Sequence, residues 1–185
     1  MREWISNKKI ILTVILTVSM QLLSTLTFSQ DNTPGNEYRY LRFVFYNVEN
    51  YFDAENDSLT NDEEFTPEGT RHWTYTKYKQ KQKKIYQVLA AAGGWELPDI
   101  MGFCEIENHY VMEDLINSTP LKYYNYNLVH KESPDKRGID VALIYRAGKL
   151  KLISKDFLKV VFPFDTAAKT RDILYASFKT LNDDT

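Results

Sequence analysis

The sequence PDIMGFCEIEN, residues 98–108, contains the pattern that decides the fold. Its apolar run, Asp99–Cys104, is short and lies between a proline and acidic residues, as is typical of a strand buried on both faces. Asn108 follows directly and is a residue type that caps helix N-termini. We therefore predict a buried strand that leads into a helix, whose apolar positions include Val111 and Leu115.

A similar strand and helix precede this pair. Leu41, Phe43 and Phe45 occupy alternate positions, which predicts a strand with one strongly apolar face. The period then changes, and Thr76–Ala92 is predicted to be a helix that stops at the glycines after it. Strand, helix, strand and helix in succession predict parallel pairing with crossovers on the faces of the sheet.

Between these elements, residues 53–69 form an acidic stretch rich in Asn, Asp, Thr and Pro. We predict a long surface loop there, and loops of this length in compact domains tend to be functional or mobile.

The remainder of the chain has mostly strand patterns joined by short turns, which predict antiparallel neighbours. The predicted strands are residues 123–129, 139–146, 150–154, 157–162 and 173–178. Together with the first half, they predict a mixed α/β fold.

The N-terminus has the composition of an export signal. Two lysines precede an apolar run that continues to small residues, so we predict a signal peptide over residues 1–29, cleaved before Gln30. This predicts a periplasmic or extracellular protein with no stable membrane partner after cleavage. A retained membrane anchor is the alternative, because the run is long enough to span a bilayer. Residues 30–37 are predicted to be a linker, and residues 38–185 the folded domain.

Composition limits the partners of the chain. The formal net charge is -2 at pH 7, so recognition of a phosphate must come from a local patch or a metal. For the lysines of the first predicted helix, we favour a solvated face over a track for a phosphate backbone. Those lysines are Lys77, Lys79, Lys81, Lys83 and Lys84. Cys104 is the only cysteine, which excludes an intramolecular disulfide, and its apolar neighbours predict a buried, unreactive thiol.

Polar residues stand where the two buried strands are predicted to end. The carboxyl ends of parallel strands meet at one edge of a sheet, so Asn47, Glu49 and Glu105 are expected to converge there. Oxygen ligands of this kind suit a hard cation such as Mg²⁺ or Ca²⁺, and nothing in the sequence suits zinc, since the three histidines lack metal-ligand spacing. The alternative is that these side chains are caps or surface ion-pair partners.

Four segments in order resemble motifs of the endonuclease/exonuclease/phosphatase superfamily, the deoxyribonuclease-I-like proteins. They are FYNVENYFD (45–53), PDIMGFCEIEN (98–108), RGIDVALIYR (137–146) and TRDIL (170–174). The resemblance implies a metal-dependent phosphoester hydrolase, either a nuclease or a phosphodiesterase or phosphatase. It also implies half of a four-layer α/β/β/α sandwich, in which each sheet comes from one half of the full-length chain.

The resemblance implies roles for single residues. Asn47 matches an asparagine that hydrogen-bonds the reacting phosphate region, and Arg171 matches an arginine that contacts a substrate phosphate. Glu105 matches the glutamate that coordinates Mg²⁺, with Glu49 near the metal and with Mn²⁺ or Ca²⁺ as alternatives. Two further residues are expected to line the cleft: Asp140 as a catalytic group and Arg137 as a phosphate-binding group.

The later motifs of the superfamily, which supply the general base, have no counterpart in this sequence. We therefore expect an N-terminal portion with little hydrolytic activity of its own. The expected partner is a phosphoester, with nucleic acid among the candidates, and the full-length protein is expected to be a monomer. An exported, non-catalytic binding protein that retains the fold is the alternative.

Overall fold

The computed structural model describes residues 40–165 and 167–181. Its elements, in order, are β1 (Phe43–Tyr51), a 3-10 helix (Glu63–Phe65), α1 (Tyr75–Gly93), β2 (Ile100–Ile106), α2 (His109–Ser118), a second 3-10 helix (Pro120–Tyr124), β3 (Tyr126–His130), β4 (Asp140–Arg146), β5 (Leu150–Leu158) and β6 (Ile173–Thr180). The predicted signal peptide and the linker up to residue 37 lie outside the described residues. Within the described ranges, no helix is both long and apolar enough to cross a membrane.

The first four strands form one sheet with the order β1-β2-β4-β3. β1 and β2 are parallel, and α1 belongs to the crossover between them. β4 pairs antiparallel with both β2 and β3. The predicted mixed α/β fold, the parallel first pair and the antiparallel later strands are therefore confirmed.

The helices pack on one face of this sheet. Asn108 caps α2 as predicted, since its side chain accepts a hydrogen bond from the Val111 backbone amide at 3.0 Å. The main core contains the buried side chains of Tyr51, Tyr78, Ile85, Leu89, Met101, Phe103, Ile106, Met112 and Leu115. Burial of this much apolar surface is the main source of stability for a domain without disulfides.

The face of β1 that packs on the core is not the one that the alternating pattern marks as strongly apolar. Val44 and Tyr46 pack against the core and Val48 belongs to it, whereas Phe43 and Phe45 are 61% and 64% exposed. The run is apolar or aromatic on both faces, so its period predicts a strand but does not tell which face the helices cover. Gly102 of β2 lies under the Phe45 ring, and a Cβ there would be 3.1 Å from Phe45 Cδ2.

The other face of the sheet carries the antiparallel hairpin β5–β6 over β3 and β4. Its core consists of Val129, Tyr145 and Leu150, with Phe157 and Phe178 packed against them. The strands predicted at residues 150–154 and 157–162 are replaced by the single strand β5, which continues along β6 past a register shift after Leu152. It ends at Leu158, so the prediction of a strand over residues 159–162 was wrong. The strand predicted from residue 123 begins at Tyr126, after a 3-10 helix that Thr119 caps.

The acidic stretch predicted as a surface loop is anchored by a small core of its own. The Phe52 and Phe65 rings stack at 4.0 Å, Ile139 packs with them, and the Trp73 indole nitrogen donates to the Phe52 carbonyl at 3.0 Å. These contacts hold the segment against the start of β4.

Two carboxyl groups of this loop, Asp53 and Asp62, are buried, and so is Glu107 beside it. Glu107 is 6% exposed, and its Oε2 accepts a hydrogen bond from the Asp53 backbone amide at 2.7 Å. Burial raises the pKa of Glu107 to about 8, and the neighbouring carboxyl groups add to the effect. The neutral form of Glu107 is therefore favoured in the folded protein.

Asp114 joins the two helices. Its carboxylate accepts hydrogen bonds from Tyr78 Oη at 2.5 Å, Lys79 Nζ at 2.8 Å, Gln82 Nε2 at 2.7 Å and Ser118 Oγ at 2.5 Å. Burial alone would raise the pKa of Asp114, but these hydrogen bonds outweigh it and lower the pKa to about 2.

Replacement of Asp114 by Asn should lower the free energy of unfolding at pH 7 by about 2 kcal/mol, because hydrogen bonds to a charged acceptor are lost. The pKa of this carboxyl is depressed in the folded state, so its contribution is present above the unfolded value and disappears as the pH falls through about 2. Urea unfolding at pH 7 and at pH 2.5 should show the difference shrinking at the lower pH. Glu113→Gln, on the exposed side of the same helix, is the control and should have little effect.

Replacement of Glu107 by Gln should have the opposite pH dependence. Folding raises the pKa of Glu107, so the wild type loses stability as the pH rises from its unfolded value of 4.5 towards 8, and the variant does not. The variant should therefore unfold at a higher temperature than the wild type at pH 8.5 and show no such advantage at pH 4. An equal difference at both pH values would contradict the raised pKa.

Candidate functional site

Two neighbouring strands are bulged at the same level of the sheet. Asn47 pairs with Cys104 and Tyr51 pairs with Ile106, so three residues of β1 lie opposite the single residue Glu105 of β2. Glu105 is also the extra residue in the pairing of β2 with β4. It has a φ of 64°, and Glu49 has a φ of 56°, both in the left-handed region that non-glycine residues seldom adopt. Bulges of this kind change the direction of side chains and are common next to functional sites.

The bulges bring Asn47 and Glu105 into contact. Asn47 Nδ2 donates a hydrogen bond to Glu105 Oε1 at 3.2 Å. Asn47 Oδ1 accepts one from the Glu49 backbone amide at 2.9 Å, which fixes the plane of the side-chain amide. Asn47 is exposed and the Glu105 side chain is 21% exposed, so the pair faces solvent at the end of the parallel strands.

Arg171 reaches the same pair from the segment that precedes β6. Its Nη1 lies 3.8 Å from Glu105 Oε1, and its side chain is 26% exposed. The guanidinium is also close enough to Cys104 and Asp135 to influence both groups electrostatically. Burial nevertheless raises the pKa of the Cys104 thiol, so the free, half-buried cysteine stays protonated.

Lys81 of α1 is a member of the site that the sequence analysis did not single out. Its Nζ donates to the Glu49 backbone carbonyl at 2.6 Å. Burial lowers the pKa of Lys81, against the opposing effect of the Glu49 and Glu105 carboxylates. The feature of Lys81 that could have indicated this role is its position beside the buried face of α1, next to Gln82. Lys77 and Lys79 instead contact Arg71 and Asp114, respectively.

Arg137 lies at the edge of the site. Its guanidinium makes two hydrogen bonds to the Asp135 carboxylate, at 3.0 and 2.7 Å, and its side chain is 61% exposed. The hydrogen bonds that Arg137 donates to Asp135 raise the pKa of Arg137, and the Glu105 charge has a weaker effect in the same direction. The turn that presents Arg137 ends at Gly138, whose φ of 65° suits glycine.

Asp140 has different partners from Asn47 and Glu105. Its side chain is 3% exposed, its Oδ2 lies 2.9 Å from His130 Nε2, and its Oδ1 accepts from the Ser133 backbone amide at 2.8 Å. The structure therefore brings Asn47, Glu49, Glu105, Arg171 and Lys81 to one strand end, and joins Asp140 to a buried histidine. A catalytic role for Asp140 stays a prediction.

The residues at the strand end fit a hard divalent cation. The donor groups are the carboxylate oxygens of Glu105 and Glu49, of the kind that Mg²⁺ prefers. Arg171 and Lys81 add positive charge beside these donors, which suits a bound anion shared with the cation.

Comparisons with known proteins bear on the family of the chain. A sequence model described as endonuclease/exonuclease/phosphatase family matches residues 42–185. None of the curated protein sequences compared with the chain matches it significantly.

Several solved structures are similar to the chain. One is the catalytic domain of human nocturnin with a bound sulfate anion, at 16% identity over 77% of this chain and 46% of that one, with a TM-score of 0.46. The endonuclease/exonuclease/phosphatase from Bacteroides vulgatus has 19% identity over 76% of this chain and 47% of its own, with a TM-score of 0.46. A family protein from Bacteroides thetaiotaomicron has 15% identity over 77% and 46%, with a TM-score of 0.44. The chain thus spans about half the length of these structures.

The left-handed backbone at Glu105 can be tested by comparing two variants that both lack the carboxylate. Glu105→Gly removes the unfavourable contacts of Cβ at a φ of 64°, whereas Glu105→Ala retains them. We expect the glycine variant to be more stable than the alanine variant by about 1 kcal/mol in urea unfolding. An alanine variant of equal or greater stability would show that the bulge does not hold this conformation.

Proposed function

Because the chain belongs to the endonuclease/exonuclease/phosphatase family, whose model matches residues 42–185, we propose that it is the metal- and phosphate-binding part of a phosphoester hydrolase. The observation that carries the proposal is the contact between Asn47 Nδ2 and Glu105 Oε1 at 3.2 Å, with Arg171 Nη1 at 3.8 Å from the same oxygen. A carboxylate, an amide and a guanidinium in one solvent-facing cluster form a polar site suited to a cation and an anion together.

Glu105 and Glu49 are the residues that would hold the metal, with Mg²⁺ as the first candidate and Mn²⁺ or Ca²⁺ as alternatives. A bound divalent cation would neutralise negative charge on a phosphoryl oxygen. Asn47 donates a hydrogen bond from its amide, and its orientation is fixed by the Glu49 backbone amide. Arg171 and Lys81 provide the positive charge that binds and orients the remaining phosphate oxygens.

Among the described residues of this cluster, none is a free general base. The Asn47 amide and the Arg171 guanidinium do not accept protons, and Lys81 donates to the Glu49 carbonyl. The Glu49 and Glu105 carboxylates are assigned to the metal. An in-line attack requires a positioned and activated nucleophile. We therefore propose that the 185-residue chain binds metal and phosphate but turns over phosphoesters slowly or not at all.

For the substrate, a small phosphoester, a phospholipid headgroup and nucleic acid all present the same phosphate chemistry. The near-neutral charge gives no broad attraction to a polyanion. Lys79 is held by Asp114 and Lys77 by the Arg71 carbonyl, so two lysines of α1 are engaged within the protein. This arrangement favours a small phosphoester over a long nucleic acid. Export and a monomeric state stay predictions.

Isothermal titration calorimetry of the purified 185-residue chain tests the binding part of the proposal. Glu105→Gln should weaken Mg²⁺ binding at least about tenfold, because a carboxylate ligand becomes a neutral amide. Arg171→Gln should weaken binding of inorganic phosphate by a similar factor while leaving Mg²⁺ binding intact. Glu113→Gln, whose side chain is 58% exposed on α2 away from these contacts, is the matched control. Unchanged Mg²⁺ affinity in the Glu105 variant would contradict the assignment of the metal site.

Turnover is measured separately with plasmid DNA, a small phosphodiester and a phospholipid. We expect little Mg²⁺-dependent hydrolysis of any of them. Clear hydrolysis that Glu105→Gln abolishes would support the hydrolase assignment but overturn the proposed low activity, and the preferred substrate would then identify the class.

A further inference from the structure

A second cluster of ligand-type side chains lies where β3 turns into β4. His130 ends β3, Asp140 begins β4, and Glu132 belongs to the connection between them. One ligand atom from each of the three residues lies within 4.8 Å of the other two. The cluster does not include Glu105, although Asp140 lies opposite Ile106 in the sheet.

Two of the three side chains are fixed in position. His130 and Asp140 are 2% and 3% exposed, with Nε2 and Oδ2 at 2.9 Å from each other. The second oxygen of Asp140 accepts a hydrogen bond from the Ser133 backbone amide at 2.8 Å, which orients the carboxylate. Contacts of this kind behind the ligands are typical of metal sites. The Glu132 side chain is 66% exposed, so the cluster is open to solvent on that side.

Within the described part of the chain, no lysine or arginine is paired with the two carboxylates of the cluster. Among the ion pairs of the described residues, His130 is the one cationic partner of Glu132 and of Asp140. The neighbouring Lys131 points to Asp172 instead, at 3.4 Å. His109 lies near the His130 ring but pairs with Glu113 at 3.3 Å. Two close carboxylates, one of them buried, therefore need either a proton or a cation from solution.

We propose that His130, Glu132 and Asp140 form a binding site for a first-row transition-metal dication, separate from the Glu105 site. A ligand set of one imidazole and two carboxylates suits such ions better than Mg²⁺ or Ca²⁺, which prefer oxygen alone. Asp140 Oδ2 is hydrogen-bonded to His130 Nε2 at 2.9 Å, and Glu132 Oε1 lies 3.9 Å from His130 Nδ1. A bound ion would replace the hydrogen bond between His130 and Asp140.

The position of the site gives the metal a structural role. An ion bound there would join the last residue of β3 to the first residue of β4 and close the connection of residues 131–139. That connection carries Arg137 and the Asp135 carboxylate that holds it. Metal binding would therefore stiffen one wall of the candidate phosphate site without contributing a ligand to it.

The test uses Mn²⁺ as the probe and the 185-residue chain with Glu105→Gln, which removes the first proposed metal site. Electron paramagnetic resonance counts free Mn²⁺ during titration, and pulsed measurements detect an imidazole nitrogen bound to the ion. We expect one bound Mn²⁺ with a nitrogen signal. Adding Glu132→Gln should weaken its binding at least about tenfold, and this exposed position should leave the fold intact, as circular dichroism can check. Adding Glu113→Gln instead should leave the affinity for Mn²⁺ unchanged.

The outcomes separate this proposal from the assignment of Glu105. Absence of bound Mn²⁺, a bound ion without a nitrogen signal, or equal affinity with and without Glu132→Gln would overturn the second site. These results would indicate that a proton, and not a metal ion, balances the carboxylates. None of them bears on Mg²⁺ binding by the wild-type residue at position 105.

Discussion

The structure depends on one constraint: two parallel strands leave their regular pairing at the same level, and their bulged residues must adopt a left-handed backbone. Glu105 has a φ of 64° and no partner in register on either side, because three residues of β1 lie opposite it and it is itself the extra residue relative to β4. A regular strand would have pointed successive side chains to opposite faces. The bulge instead lets Glu105 meet Asn47 at the strand end, and backbone strain of this kind persists only where the surrounding sheet enforces it.

The rest of the domain supports this edge of the sheet. The helices cover one face and fix β1 and β2 through the main core, while the β5–β6 hairpin packs on the other face over β3 and β4. The segment before β6 presents Arg171, and α1 presents Lys81, so each layer contributes one cation to the strand end. Asp114 of α2 accepts hydrogen bonds from side chains of α1, and these contacts hold α1, which carries Lys81, against α2.

Much of this could be predicted from the sequence. The positions of β2, α1 and α2, the Asn108 cap and the meeting of Asn47 with Glu105 follow from strand-end polar residues and from the order of the elements. The family assignment from four segments is confirmed by the match over residues 42–185. Other features depend on tertiary contacts. The covered face of β1 is ambiguous because both faces are apolar, and the partner of Asp140 is a histidine ten residues earlier that no local spacing marks. Lys81 differs from its neighbouring lysines only in the direction that α1 gives it.

If Glu105 and its neighbours hold a cation and a phosphate together, the binding of these two ligands must be thermodynamically coupled. Calorimetric titration with inorganic phosphate, in the presence and absence of saturating Mg²⁺, gives the coupling as a ratio of affinities. We expect Mg²⁺ to tighten phosphate binding at least about fivefold in the wild type and to have no such effect in Glu105→Gln. Phosphate affinity that is independent of Mg²⁺ in the wild type, or equal coupling in the variant, would contradict this expectation.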